Sequence, residues 1–324
     1  MFNYIVRRIL YSVPILLGVM LITFLLFFVL QTPETMARVQ LGKRATKETV
    51  QAWLHQRGYD KPLLINTQPG KPFYDTVFMV HMKKLVTFDL GISDRTNRPL
   101  GPIFRDCAIP SLLLTVPAFI AGFIMAVGLA LYLAFVRHGK LDFAGGVICI
   151  ALMSLPPMIF IIFGQAVIAL GFNYFPAFGF EMGGLSPLKF LVLPVAVMVM
   201  MHLGSDVLLY RAVFLEEMAQ DYVRTAQAKG VGGARLLLVH VLKNGMIALI
   251  TLTVAYLPLL VLGSMLIENF FGIPGLGNLV AQAIHTDDYA TVMAVTYLAS
   301  VLYLIGLAAT DICYALVDPR IRLS

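Results

Sequence analysis

The sequence predicts an all-α membrane protein with six transmembrane helices, an extracytoplasmic insertion between the first two, and a polar cytoplasmic helix between the fourth and fifth. Three observations carry this. Hydrophobic residues make up 59% of the chain and charged residues 13%, with a mean hydropathy of +0.84, which is not a soluble globular composition. The charges are clumped, so that apolar runs long enough to cross ~30 Å of hydrocarbon alternate with short polar breaks. Lysine and arginine also gather in alternate breaks, which sets an orientation.

The elements follow in order. Arg7-Arg8 precede an apolar run from Ile9 to about Leu30. It is too long for a signal peptide and lacks a small-residue cleavage site, so it reads as an uncleaved first span. Pro14 lies near its start, where proline costs little. Residues 31–109 are the one large polar segment, with helices expected over Thr46–Arg57, ended by Gly58, and over Phe73–Leu85. The second span covers about Pro110–Val136 and the third about Phe143–Leu170, with a kink or break expected at Ser154-Leu155-Pro156-Pro157. The fourth runs from about Leu188 to Tyr210 and the fifth from Met246 to Ile267. A short re-entrant or surface turn, Glu268–Gly277, precedes the sixth, Tyr289–Ala315.

An even number of spans puts both ends on one side. That side holds Arg7, Arg8, Arg137, Lys140, Arg211, Arg224, Lys229, Arg235, Lys243, Arg320 and Arg322, whereas the short opposite loops hold only Lys189. Both termini are therefore expected in the cytoplasm. The net charge of +6 is then a topology signal, and a nucleic-acid role is excluded by its placement. Cys107, Cys149 and Cys313 are far apart, with no metal-ligand spacing and no structural disulfide expected.

Residues 216–230 form a charged island between two apolar segments. At 100° per residue, Glu216, Glu217, Gln220, Asp221, Arg224 and Gln227 share one arc, and Leu215, Met218, Ala219, Tyr222, Val223 and Ala226 the opposite one. The spacing predicts a single amphipathic helix lying beside the membrane, stopped by Gly230. Asp221-Tyr222-Val223-Arg224-Thr225-Ala226, followed by Ala228-Lys229-Gly230, resembles the cytoplasmic EAA loop of ABC importer permeases, in the branch that imports oligopeptides, dipeptides or nickel. Arg224-Thr225-Ala226 stands where that family has Glu-Ala-Ala, and the usual downstream proline is missing from His240-Val241-Leu242-Lys243-Asn244. Gly58–Leu63, Phe88–Ser93 and Leu316–Arg322 resemble further segments of the family, as does Glu268-x-x-Phe271-x-x-Pro274-Gly275-Leu276-Gly277.

The resemblance implies a cytoplasmic coupling helix that docks into a groove on an ATPase, with Glu217, Asp221, Tyr222, Arg224, Thr225, Ala226, Ala228, Lys229 and Gly230 as its contact set. It implies a transmembrane permease subunit of an ATP-driven, binding-protein-dependent importer of di- or oligopeptides, forming half of the pathway in the bacterial inner membrane. The implied partners are a second homologous permease (a heterodimer), two ATPase subunits or domains that bind ATP and Mg, an extracytoplasmic solute-binding protein and membrane lipid. The implied division is residues 1–30, the insertion 31–109, the permease core 110–315 with its coupling loop 211–245, and the tail 316–324.

From the residues, candidate pathway or gate positions are Pro156, Pro157, His202, Ser205 and Glu268. The resemblance of Glu268–Gly277 to the family's segment after the fifth helix adds Pro274, Gly275 and Gly277, which a tight turn would also require. Polar groups in hydrocarbon are expensive and must face protein, water or a helix end. Asp206, Glu268 and Asp311 each lie near a predicted span end, where interhelix hydrogen bonding or placement at the boundary accounts for them better than a place on the solute pathway. No G-x-x-x-x-G-K-[ST], H-E-x-x-H or paired-cysteine motif occurs, so no cofactor, metal or catalytic set is expected in this chain. The alternative is a self-contained channel or secondary transporter, which predicts inverted repeats; none is evident.

Overall fold

The computed structural model describes residues 2–317 except 43, 67–71, 173, 184–185 and 255, and it does not describe the side chains of 2–9, 12, 29–30, 186, 258–259 and 311–317. The tail motif beyond 317 and the Asp311 side chain therefore lie outside the described residues. Everything described is helix, turn or loop apart from one isolated bridge, Ile92–Pro99. Four helices are long and apolar enough to cross a membrane, and seven crossings result if each of three bent helix pairs is one. The chain divides into two compact units.

The first unit comprises Met1–Cys107 with Leu279–Ile305. Helix α1 (Phe2–Leu30) carries Pro14 in its interior rather than at its start. Three short helices follow: α2 (Pro33–Leu41), α3 (Lys47–Arg57) and α4 (Val77–Val86). Each begins at a threonine whose hydroxyl accepts an early backbone N–H: Thr32 from Thr35, Thr46 from Thr49 and Thr76 from Met79. Such caps satisfy donors that the first turn leaves unpaired. The Thr76 cap is why α4 starts at Val77 and not at Phe73.

The segment 31–109 is thus a folded part of a larger core. Phe24, Phe28, Met36, Val50, Trp53, Leu54, Val77 and Met293 pack together. A polar clamp ties the loop after α4 to residues 288–290. Asp288 accepts the Ser93 hydroxyl at 2.5 Å and the Asp94 N–H at 3.0 Å. Asp94 in turn accepts the Ala290 N–H at 2.9 Å and pairs with Arg57 at 2.6 Å.

His81 on α4 sits against Phe24 and Phe28. Burial, helped by the Lys84 charge, lowers it from 6.5 to about 4. A depressed histidine stays neutral in the fold while the unfolded chain takes up a proton. Stability is therefore full above pH 6.5 and falls as pH drops towards 4, by up to about 3 kcal/mol. Between pH 7 and 4.5 the midpoint of thermal unfolding followed by Trp53, the single tryptophan, should fall in the parent relative to His81→Phe. That comparison leaves the opposite contribution of the buried Asp94 carboxyl, raised to about 6, on both sides.

The second unit comprises Ala108–Asn278 with Gly306–Leu323. Helix α5 (Leu100–Phe135) starts ten residues before the expected span and carries Pro110 and Pro117 inside it. Helices α6 (Lys140–Ser154) and α7 (Pro157–Gly171) are bent by 95° at Leu155-Pro156. Leu155 is extended there, as a residue preceding proline prefers. The bend satisfies the expected break. The last turns of α7, Gly164–Gly171, are π-helical.

Helix α8 (Ser186–Met218) is continuous for 33 residues, so it runs two turns past the expected end at Tyr210. After the short helix α9 (Asp221–Ala228) comes α10 (Gly233–Val254), entered through a π-helical stretch at Leu236–Val241. The fifth span was expected at Met246–Ile267. It is displaced because Leu236–Val241 already continue the apolar helix and Pro258 follows its end, in a 3₁₀ turn at Leu257–Leu262. Helices α11 (Met265–Phe271) and α12 (Leu276–His285) belong to a pair bent by 65°. Helix α13 (Tyr289–Val317) is the last described element.

Candidate functional site

Two places bear on function, both within the second unit. The first is the charged island. It is not one helix over residues 216–230. α8 carries its first turn, to Met218, and the helix breaks at Ala219-Gln220. Gln220 is extended (φ −69°, ψ 150°) and caps α9. The break corrects the expected arcs: Ala219, placed on the apolar side, is exposed. Glu217, placed on the polar side, is half-buried and accepts the Tyr222 hydroxyl at 2.7 Å. Burial pushes that phenol up, and so does the Glu217 carboxylate, against a lowering by Asn244; it stays a proton donor to Glu217.

Helix α9 is short and polar on its outer side. Val223 and Ala226 are buried in the cluster formed by Leu203, Val207, Phe214, Leu236, Leu237 and Val241. Asp221, Arg224, Thr225, Gln227, Ala228, Lys229 and Gly230 are all exposed. Gly230 (φ +78°) turns the chain back. Its N–H reaches Gln227 O at 2.9 Å, and Val231 N–H reaches Ala226 O at 3.2 Å. This pair of bonds closes a helix end only with a left-handed residue. The result is a peg: small, polar outside, and seated on the helices by two apolar side chains.

The second place is the turn at Glu268–Gly277. Glu268, expected on a pathway or gate, is fully buried and holds the turn from within. Its carboxylate accepts the Ser111 hydroxyl (2.8 Å), Asn278 N–H (2.9 Å) and Ser264 N–H (3.3 Å). Ser111 also accepts Leu276 N–H at 2.8 Å. A Cβ on Gly275 would collide with the Glu268 carboxylate, and one on Gly277 with the Met265 backbone. Pro274 alone of this set is exposed, at the tip. Gln165 ties the neighbouring loops, donating to Phe270 O (2.8 Å) and Ala177 O (3.0 Å). Ser111 was missed in the sequence. Its signal was a lone hydroxyl opening an apolar run, where a polar group needs a partner.

The remaining candidates are spread. Pro156 and Pro157 are exposed at the α6–α7 bend. His202 is exposed on α8, and Ser205 lies one turn on. A groove of about 430 Å³ between α5 and α8 is lined by apolar side chains including Leu113, Pro117, Met125, Val192 and Val199. Among the described residues, no three His, Cys, Asp or Glu side chains gather as metal ligands.

Residues 118–323 match the family described as binding-protein-dependent transport system inner membrane component, and residues 1–87 match that family's N-terminal region. The chain belongs to this family. A Brucella abortus (strain 2308) protein named as a permease of a peptide transport system is 30% identical, over 98% of each chain. The dipeptide transport system permease protein of Bacillus subtilis (strain 168) is 29% identical over 100% of this chain and 99% of its own. The glutathione transport system permease protein of Shigella flexneri serotype 5b (strain 8401) is 28% identical over 99% of each. The chain is therefore a permease subunit of an ABC importer and not an enzyme. An importer of this kind works with a partner permease, an ATPase and a solute-binding protein.

Proposed function

We propose that this permease imports di- or oligopeptides, that it forms half of the pathway with a second, related permease, and that α9 is the contact through which ATPase movement reaches the membrane helices. The names of the relatives support the peptide assignment. The observation that carries the coupling role is the seating of α9: Val223 and Ala226 fix it to the helix cluster, while its polar side makes no contact that the fold needs. A surface so arranged suits a groove on another protein.

In this reading α1, α5, the α6–α7 pair, α8, α10 and α13 are six crossings, and α11–α12 is re-entrant. Both termini and α9 face the cytoplasm, in keeping with the basic residues at Arg137, Lys140, Arg211, Arg224 and Lys229. Residues 31–109 face outward, where a solute-binding protein docks. Two ATPase subunits or domains bind ATP and Mg on the cytoplasmic side.

The test is an Asp221→Ala/Arg224→Ala double variant. The two side chains are 3.6 Å apart and 96% and 75% exposed, so their pairing contributes little to stability. The variant should reach the membrane at the normal level. Peptide uptake should fall at least tenfold, with loss of ATPase copurification; unchanged uptake rejects the coupling role.

A further inference from the structure

We infer that Asp206, with His202 and Ser205 beside it, is a cation-accepting station on the solute path that takes the protonated amino group of a peptide. This rests on the peptide-importer reading above. The three residues lie three and four positions apart on α8 and so share one face.

Depth comes from the ion pair of Arg211 with Asp142, 2.7 Å apart. A charged pair at the start of α6 marks the membrane boundary. Asp206 lies roughly 7 Å beyond Arg211 along α8, and His202 roughly 13 Å. The latter is close to the midpoint of a ~30 Å hydrocarbon layer. An exposed imidazole at that depth, and a carboxylate between it and the boundary, must meet water or a polar partner. Asp206 accepts no hydrogen bond from the described residues.

The donor and acceptor count then selects the ligand. His202 Nδ1 lies 3.1 Å from Met198 O and donates to it, leaving Nε2 as an acceptor. The Ser205 hydroxyl donates to His202 O at 2.8 Å, leaving its oxygen lone pairs outward. With the Asp206 carboxylate, one helix face offers three kinds of acceptor and no free donor. An ammonium group is the complement: three donors, no acceptor, one positive charge. Only Asp206 and His202 are strong metal ligands, too few for a metal cage.

The experiment places a reporter beside the carboxylate. Ser205→Cys is introduced after replacing Cys107, Cys149 and Cys313, and the assembled transporter is labelled in membrane vesicles with a cationic and an anionic thiol reagent. The cationic reagent should react on the order of tenfold faster, through attraction by Asp206. Asp206→Asn should cancel that preference without loss of the partner permease on purification. Millimolar dialanine should slow the labelling, and N-acetylated dialanine should not. Equal rates, no reaction, equal protection by both dipeptides, or an Asp206→Asn complex that falls apart would each overturn the station, the last by making Asp206 a partner contact. Unmodified vesicles that take up no peptide would defeat the peptide reading itself, and this inference with it.

Discussion

Glu268→Ala should remove most of the folded permease from the membrane. The carboxylate satisfies three donors: the Ser111 hydroxyl and the backbone N–H groups of Ser264 and Asn278. Deleting it strands them in a fully buried site, at about 1–3 kcal/mol each. A cavity adds to that cost. The sum is of the order of a whole domain's stability. Membrane abundance and the melting temperature of the detergent-purified protein measure the effect. Ser111→Ala removes one donor to the carboxylate and the acceptor of the Leu276 N–H, and should cost less than Glu268→Ala. If Glu268→Ala melted within a degree or two of the parent, the turn would not depend on this carboxylate.

Gly230→Pro should abolish uptake while leaving the membrane helices intact. The backbone at Gly230 has φ +78°, and proline is confined near −65°. Proline also lacks the N–H that bonds Gln227 O. The end of α9 must therefore unwind and release Val231 from Ala226. Gly230→Ala keeps the N–H and meets no neighbouring atom within 4 Å. It should retain part of the activity, since an L-residue adopts the left-handed region at about 1–2 kcal/mol. Uptake and ATPase copurification should fall together in the proline variant; full uptake would mean that the shape of α9 is not transmitted to transport.

Much of the fold was legible in the sequence because its determinants are local. Apolar runs gave the helical membrane class. Thr46 and Gly58 bounded α3 as expected, and Pro156-Pro157 broke the third run. The break at Gln220 was not legible. Residues 216–230 have helical periodicity throughout, and only the packing of Val223 and Ala226 on Leu236 and Val241 sets the angle that interrupts it. Equally hidden were pairings between residues 157 and 195 positions apart, Ser111 with Glu268 and Ser93 with Asp288. Nothing in a linear pattern states which distant hydroxyl a buried carboxylate will meet. The start of α5 was misplaced for a simpler reason: residues 100–109 are helical but too polar to register as membrane span.

One consequence follows from the unbroken length of α8. Only Ala219 and Gln220 separate its end from α9, and Arg211 is fastened to Asp142 part-way along. With Leu203, Val207 and Phe214 packed in the helix cluster, α8 is a rod that can only move together with its neighbours. If a motor rocked α9 by about 10° and the rod pivoted at Arg211, His202 would sweep roughly 2 Å sideways, enough to make or break a hydrogen bond. The stroke and the grip on the cargo would then be joined through one long helix, with the two-residue joint at Ala219-Gln220 as the place where the push is passed on or lost.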